Sequence, residues 1–134
     1  TIFIYIAYEY LGYTDLRFSI IFFVIIFFYS FYAVKDSESE FVNKDPRQIV
    51  IDEVLGQSMP LILLLHLNQT NQISMQIEIY YIISFFVFRF FDIFKPFPVS
   101  YFDKNFKNYF GIIMDDIMAG FYTMLVIYLI SLKF

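Results

Sequence analysis

The stretch LRFSIIFFVIIFFYSFYAV, residues Leu16–Val34, contains 19 residues and a single charged side chain, Arg17. A helix needs about 20 consecutive apolar residues to cross the hydrocarbon core of a bilayer, so this stretch predicts a transmembrane helix. Further apolar blocks lie on both sides of it, at Thr1–Leu11, Val54–Leu67, Gln76–Phe91 and Ile117–Leu132. Together they predict an all-α membrane bundle of about four to five helices, which forms one domain over residues 1–134.

The composition of the whole chain also favours a bilayer as its surroundings. Hydrophobic residues make up 60% and charged residues 16% of the chain, against about 45–50% and about 25% in a typical soluble domain. A soluble domain of this size could not bury so much apolar surface. The net charge of −4 and the lack of a basic stripe argue against a nucleic-acid partner. The absence of cysteine excludes disulfides, zinc–thiolate sites and cysteine nucleophiles.

The distribution of basic residues predicts which side of the membrane the polar connections face. If each block crosses once, the connections at 35–53 and 92–116 share one face, and the connection at 68–75 lies on the other. The first face collects most of the basic residues, namely Lys35, Lys44, Arg47, Arg89, Lys95, Lys104 and Lys107. Because positively charged connections stay in the cytoplasm, this face is predicted to be cytoplasmic. The block at 54–67 is short, and a re-entrant helix there would break the alternation.

Six carboxylates are the candidate catalytic residues of that face: Asp52, Glu53, Asp92, Asp103, Asp115 and Asp116. Carboxylates that lie close together repel one another, and a divalent cation relieves the repulsion. Mg²⁺ prefers oxygen ligands and usually binds through one or two carboxylates, waters and phosphate oxygens. The simpler alternative is that adjacent acids cap a solvated helix N-terminus, where the helix dipole favours them. Two acidic pairs, each expected to open an apolar helix on the same side, favour a site.

Two short segments resemble one another and predict where helices meet. Asp52 is followed four residues later by Gly56, and Asp116 is followed four residues later by Gly120. Residues four apart share a helix face, and a glycine there lets another backbone approach closely. The pattern is explained by helix packing, by convergence of two acid-bearing helix ends, or by both.

Three charged residues interrupt an apolar block at intervals of three: Arg89, Asp92 and Lys95. Arg89 could extend its charged end to the membrane interface or pair with Asp92. The sharper hypothesis is an anion site, because arginine offers a planar fork to phosphate oxygens and lysine a compact charge. Pro96 and Pro98 are expected to stop the helix and to fix the position of Lys95.

Several chemistries are excluded by missing motifs. The chain has no GxxxxGK[ST] loop, no GxSxG turn and no DxDx[TV] segment, and its one histidine, His66, is expected at the far end from the acids. Metal-assisted attack by water is the simplest remaining route to hydrolysis. A non-enzymatic ion or proton pathway is the alternative from another class, but it needs carboxylates at several depths. A phosphotransferase is a third possibility, for which the DGx2AR segment is missing.

Three segments carry a resemblance to a known family: KDPRQIVIDEVLGQ (44–57), FRFFDIFKPFPVSYFD (88–103) and GIIMDDIMAG (111–120). Their content, order and spacing resemble the signature segments of the phosphatidylglycerophosphatase A family, and the resemblance covers about residues 35–132. It implies a multi-pass enzyme of the bacterial inner membrane with its active site facing the cytoplasm. The implied reaction is Mg²⁺-dependent hydrolysis of phosphatidylglycerophosphate to phosphatidylglycerol and phosphate, in the biosynthesis of phosphatidylglycerol and cardiolipin.

The resemblance also implies roles for individual residues. Mg²⁺ is expected at Asp52, Glu53, Asp115 and Asp116. The substrate phosphate is expected at Arg89 and Lys95, with Asp92 and Asp103 as further catalytic carboxylates. The family's glycine-rich Pro-Gly-Thr segment is not found before the first apolar block, except for Thr1, so an N-terminally truncated domain is expected. The pattern does not fix the oligomeric state.

Overall fold

The chain folds into a bundle of helices, as its apolar blocks predict. The computed structural model describes residues 16–38, 51–73, 76–106 and 109–133, apart from the side chains of 34–38, 103 and 109. Its helices are α1 (Leu16–Glu38), α2 (Ile51–Gln69), α3 (Ile77–Phe94), α4 (Val99–Asn105) and α5 (Tyr109–Lys133). No strand occurs within these ranges. The all-α prediction, with about four to five helices, is confirmed.

Helix α5 is the centre of the bundle. It packs against α1, α2, α3 and α4, most extensively against α2. A Cβ on Gly56 would lie 2.5 Å from the carbonyl oxygen of Asp116 and 2.8 Å from the ring of Phe88. A Cβ on Gly120 would collide with the carbonyl oxygen of Gly56. The predicted close approach of two backbones at these glycines is therefore confirmed, and it joins the two acid-bearing helices directly.

Apolar side chains fill the bundle on either side of this crossing. One buried cluster joins α2, α3 and α5, and it consists of Leu61, Leu64, Leu65, Tyr80 and Ile127. A second, around Leu55 and Ile113, packs against phenylalanines of α1, including Phe23, Phe27 and Phe31. Close packing has particular weight in a bilayer, because lipid chains are as apolar as the side chains and hydrophobicity alone does not join helices.

Two of the described helices are long and apolar enough to cross a membrane, judged by length and composition. The segments are Leu16–Ala33, with a mean hydropathy of 2.0, and Phe110–Lys133, with a mean hydropathy of 1.6. The first leaves much of its apolar surface uncovered, including Phe18, Ile21, Ile25, Phe28 and Tyr32. Such an apolar face suits contact with lipid chains.

Two helix boundaries differ from the sequence-based expectation. Helix α5 begins at Tyr109, so the prediction that Asp115 and Asp116 open an apolar helix is wrong. The apolar residues before them continue the helical repeat, and both acids lie more than one turn inside α5. The short helix α4 was also not expected within the connection. The end of α3 agrees better, because the helix stops at Phe94, two residues before Pro96.

Candidate active site

Three helix segments bring the predicted charged residues together at one end of the bundle. Helix α2 contributes Asp52 and Glu53 from its first turn, and α3 contributes residues of its last turns. Helix α5 contributes Asp115 and Asp116. Because α2 starts where α3 ends, side chains far apart in sequence meet here. The site therefore depends on the antiparallel arrangement of α2 and α3 and on the Gly56–Gly120 crossing.

Arg89 links α2 to α3 through a forked set of hydrogen bonds. Its Nη2 donates to Glu53 Oε2 at 2.8 Å, and its Nη1 donates to Glu53 Oε1 at 3.1 Å. Nη1 also donates to Asp92 Oδ2 at 3.1 Å. This two-bond geometry with a carboxylate is the one that a guanidinium favours. The predicted pairing with Asp92 is confirmed, whereas the partner 36 residues away was not foreseen.

Lys95 reaches a different helix from Arg89. It is the C-cap of α3 and has a left-handed backbone with φ of 44°, closed by its N–H donating to the carbonyl oxygen of Phe91. Its Nζ donates to Asp115 Oδ2 at 2.7 Å. The interval of three therefore does not continue along one helical face to Lys95. The turn instead directs the Lys95 ammonium toward α5. Arg89 therefore contacts a carboxylate of α2, whereas Lys95 contacts one of α5.

Asp52 and Asp116 are two buried charged groups of the site. Their exposed fractions are 7% and 5%, and neither forms an ion pair with a described basic side chain. Asp52 Oδ1 accepts a hydrogen bond from the N–H of Glu53 at 2.7 Å. Burial raises the pKa of Asp52, which lies outside the two candidate membrane spans, to about 7, and the negative charges of Glu53 and Asp115 add to this. The carboxylate of Asp92 lies near that of Asp116.

The donor set fits a hard divalent cation by its chemistry. All candidate ligands are carboxylate oxygens, and they are close enough to disfavour one another's charge. Within the described ranges, no three His, Cys, Asp or Glu side chains meet as a ready-formed metal-binding group. Mg²⁺ does not require one, since waters and substrate phosphate usually complete its coordination. Arg89 and Lys95 hold oxygens of Glu53, Asp92 and Asp115. The metal-ligand roles of Asp52, Glu53, Asp115 and Asp116 all stay predictions.

Tyr122 is a site-supporting residue that sequence reasoning missed. Its hydroxyl donates to the carbonyl oxygen of Phe97 at 2.7 Å, and its ring lies 5.2 Å from that of Phe91. These contacts tie the Pro-Phe-Pro turn after Lys95 to α5. The sequence spacing could have identified this residue, because Tyr122 follows Asp115 by seven residues and so lies on the same side of the helix.

Other predicted residues lie apart from this cluster or beyond the described parts. His66 is exposed at the far end of α2, as expected. Asp103 belongs to α4, but its side chain is outside the described residues, and its catalytic role stays a prediction. Lys44, Arg47 and Lys107 are outside the described residues as well.

Comparison with known proteins decides the family. The family model described as Phosphatidylglycerophosphatase A matches residues 1–131. The chain belongs to this family. The match extends the resemblance seen in the three quoted segments to nearly the whole chain.

Individual relatives agree with the family match. A protein of Haemophilus influenzae named Phosphatidylglycerophosphatase A is 50% identical over 48 residues, which are 36% of this chain and 29% of that protein. One of the same name from Escherichia coli is 40% identical over 48 residues, 36% of this chain and 28% of that protein. A Bacteroides thetaiotaomicron protein, provisionally named phosphatidylinositol-3-phosphatase, is 36% identical over 84 residues, 63% of this chain and 48% of that protein.

These alignments cover less than half the length of each relative. No solved structure matches the chain.

Proposed function

We propose that the protein is a lipid phosphatase that hydrolyses the terminal phosphate monoester of phosphatidylglycerophosphate. The products are phosphatidylglycerol and inorganic phosphate, which places the reaction in phospholipid biosynthesis. The observation that carries the proposal is the meeting of buried carboxylates from α2 and α5 with Arg89 and Lys95. Membership of the phosphatidylglycerophosphatase A family agrees with this reaction.

Arg89 and Lys95 would bind the substrate phosphate. Both side chains are about one-third exposed, at 33% and 30%, so an incoming anion can reach them. Their present carboxylate partners hold them in position before substrate arrives. The guanidinium fork suits two phosphate oxygens, and the ammonium group adds a second positive charge. Cations fixed in advance stabilise negative charge that develops as the phosphoryl group transfers.

Asp52 and Asp116 would hold Mg²⁺, together with Asp115 and Glu53 as these are released from their basic partners. When bound, Mg²⁺ would supply charge neutralisation for the phosphate and would make a nearby water more acidic. A carboxylate of the cluster would orient the attacking water and accept its proton. The water oxygen would bond to phosphorus, the bond from phosphorus to the glycerol oxygen would break, and that oxygen would leave as a hydroxyl by taking the proton that the carboxylate accepted. Asp92, which accepts a hydrogen bond from Arg89 and lies near Asp116, would hold the guanidinium in place beside the metal-binding carboxylates.

The proposal includes a position in the membrane. Helices α1 and α5 would cross the bacterial cell membrane as parts of a multi-pass bundle, with the site at the cytoplasmic face. The acyl chains would stay in the bilayer while the headgroup enters the site. Exposed aromatic residues next to Lys95, namely Phe94, Phe97 and Tyr101, suit the membrane interface.

A phosphate-release assay on the membrane-inserted full chain tests the proposal. Phosphate should be released from phosphatidylglycerophosphate in mixed micelles, and EDTA should abolish the release until Mg²⁺ is restored. Asp116→Asn and Arg89→Ala should each lower kcat/KM by about 100-fold or more, in the range that a charged catalytic group contributes. Glu78→Gln, at an exposed acid of the opposite end of α3, is the matched control. Activity that survives EDTA would remove the metal from the mechanism.

A phosphatidylinositol phosphate is the second candidate substrate. It is favoured by the Bacteroides relative, whose aligned stretch covers 63% of this chain. Both lipids present a phosphate monoester on a polyol headgroup, so the same cations and carboxylates could act on either. Parallel assays with phosphatidylglycerophosphate and phosphatidylinositol 3-phosphate distinguish them by the ratio of their kcat/KM values.

A further inference from the structure

Gln57 is a buried polar residue that the proposed mechanism does not use. It closes the first of the three quoted segments, and its exposed fraction is 2%. Neither its Nε2 nor its Oε1 has a hydrogen-bond partner in the part of the chain that the structure describes. Buried polar groups are nearly always hydrogen-bonded, because an unpaired one costs free energy. An amide left unpaired at both ends therefore calls for a missing partner.

The position of Gln57 places it directly beside the candidate site. It lies one helical turn after Glu53, on the same face of α2, a rise of about 6 Å. Its neighbour Gly56 touches the backbone of Asp116 and the ring of Phe88, so this turn of α2 lies where α3 and α5 meet it. Leu61, one turn further along the same face, already belongs to the apolar cluster. On this face of α2, Gln57 thus lies between the Glu53–Arg89 ion pair and the apolar cluster.

The chemistry of the unpaired amide indicates the kind of group that it would bind. Nε2 is a donor and Oε1 is an acceptor. A fully ionised phosphate offers acceptors only, and a metal ion could satisfy only the oxygen. A hydroxyl group both donates and accepts, so it can pair with both ends of the amide. Glycerol in phosphatidylglycerophosphate and inositol in phosphatidylinositol 3-phosphate both carry a hydroxyl on a carbon next to the phosphorylated one.

We propose that Gln57 is a specificity-determining residue that binds the headgroup hydroxyl adjacent to the phosphate ester. This inference rests on the proposed lipid-phosphatase function. The partly exposed Glu53–Arg89 pair lies one turn above the amide. Transfer of Arg89 from Glu53 to the substrate phosphate would open the way to it. Headgroup hydroxyl and phosphate would then be held by adjacent turns of the same helix pair.

The test compares lipids that differ only in this hydroxyl. Phosphatidylglycerophosphate is assayed beside its analogue with a propane-1,3-diol phosphate headgroup, and phosphatidylinositol 3-phosphate forms a third arm. The wild-type protein should prefer the hydroxylated glycerol lipid over the analogue by about tenfold or more in kcat/KM. Gln57→Met should lower kcat/KM for the hydroxylated lipid by a similar factor and change that for the analogue by less than about threefold, so the preference disappears. Gln57→Glu, which keeps the shape and the acceptor oxygens, should give an intermediate ratio.

The neighbouring Ser58→Ala variant is the matched control, because Ser58 is equally buried but its hydroxyl already donates to the carbonyl oxygen of Val54. It should keep the wild-type preference. If Gln57→Met lowers kcat/KM for phosphatidylinositol 3-phosphate alone, the inositol lipid is the source of the hydroxyl. An unchanged ratio in Gln57→Met, or equal losses on hydroxylated and deoxygenated lipids, would overturn the inference while the phosphatase function stands. A wild-type protein that releases phosphate from none of the lipids would overturn the function itself.

Stability gives an independent readout. Gln57→Met removes two unpaired buried polar atoms, so its thermal unfolding midpoint in detergent should equal or exceed that of the wild type. A lower midpoint together with an unchanged lipid preference would identify Gln57 as a structural residue and contradict the proposal.

Discussion

At the scale of single residues, the arrangement around Arg89 explains why charges are tolerated beside an apolar helix. One guanidinium contacts carboxylates of two helices, Glu53 and Asp92. Partly exposed ion pairs contribute only about 0–1 kcal/mol to folding, so stability alone gives little reason for this one. The effect of these contacts on geometry is larger, because they fix the planar guanidinium of Arg89 at the partly exposed edge of the site.

A conservative substitution tests whether the fork or the charge is needed. Arg89→Lys keeps the charge but cannot offer a planar fork to two phosphate oxygens while it stays bonded to Asp92, because its ammonium is a compact donor. We expect kcat/KM for the lipid to fall by about 100-fold, close to the loss in Arg89→Ala. The assay is phosphate release under saturating Mg²⁺, with Arg17→Lys in α1 as the matched control. Near-normal activity of Arg89→Lys would show that charge alone suffices.

A second prediction at this scale concerns Tyr122. Tyr122→Phe removes the hydrogen bond to the carbonyl oxygen of Phe97 and loosens the turn that carries Lys95. One neutral hydrogen bond contributes about 0.5–1.5 kcal/mol, so KM should rise by roughly three- to tenfold while kcat changes little. Tyr128→Phe, at an exposed tyrosine of the same helix, is the control. A fall in kcat with constant KM would mean that Tyr122 acts on the chemical step instead.

At the scale of helices, the Gly56–Gly120 crossing sets the distance between the acids of α2 and those of α5. Gly56→Ala places a methyl group 2.5 Å from the carbonyl oxygen of Asp116, which the backbone cannot accommodate without a shift. Overpacking of this kind typically costs about 1–3 kcal/mol. We expect a lower unfolding midpoint in detergent and, because Asp52 moves away from Asp116, an activity loss that is larger at low than at high Mg²⁺ concentration.

The control for this crossing is Ser131→Ala, at a half-buried position near the end of α5 and far from the glycines. It should leave both the midpoint and the Mg²⁺ dependence unchanged. If Gly56→Ala lowers the midpoint but leaves activity and its Mg²⁺ dependence intact, the crossing has a packing role only.

The same helices show what sequence could and could not predict. Apolar blocks revealed α1, α2, α3 and α5, because a long apolar run has few other solutions in a bilayer. The start of α5 was missed because the charges of Asp115 and Asp116 resembled a boundary, although the apolar turn before them continues the helix. The contacts of Glu53 with Arg89 and of Lys95 with Asp115 depend on helix orientation and on one left-handed residue. Neither the orientation of the helices nor the left-handed backbone of Lys95 can be predicted from the spacing of residues along the sequence.

At the scale of the whole molecule, the orientation of the helices in the bilayer determines which compartment the site faces. Apolar side chains cover the outside of α1, and charged side chains gather where α2 begins and α3 ends. If α2 crosses the membrane, its two ends face different compartments. If α2 is re-entrant, both ends face the same one. The position of the site relative to the cytoplasm depends on this difference.

Labelling of single cysteines can decide it, because the chain has no cysteine of its own. Lys104→Cys and Gln69→Cys place a thiol at exposed residues of α4 and of the far end of α2. With a membrane-impermeant maleimide applied to intact cells, Gln69→Cys should react, whereas Lys104→Cys should react only after the membrane is opened, since basic segments stay in the cytoplasm. Reaction of both thiols in intact cells would contradict a cytoplasmic site. Protection of both would contradict a crossing α2 and favour the re-entrant arrangement. In either case, phosphate release measured on the same variants shows whether the labelled protein is the active one.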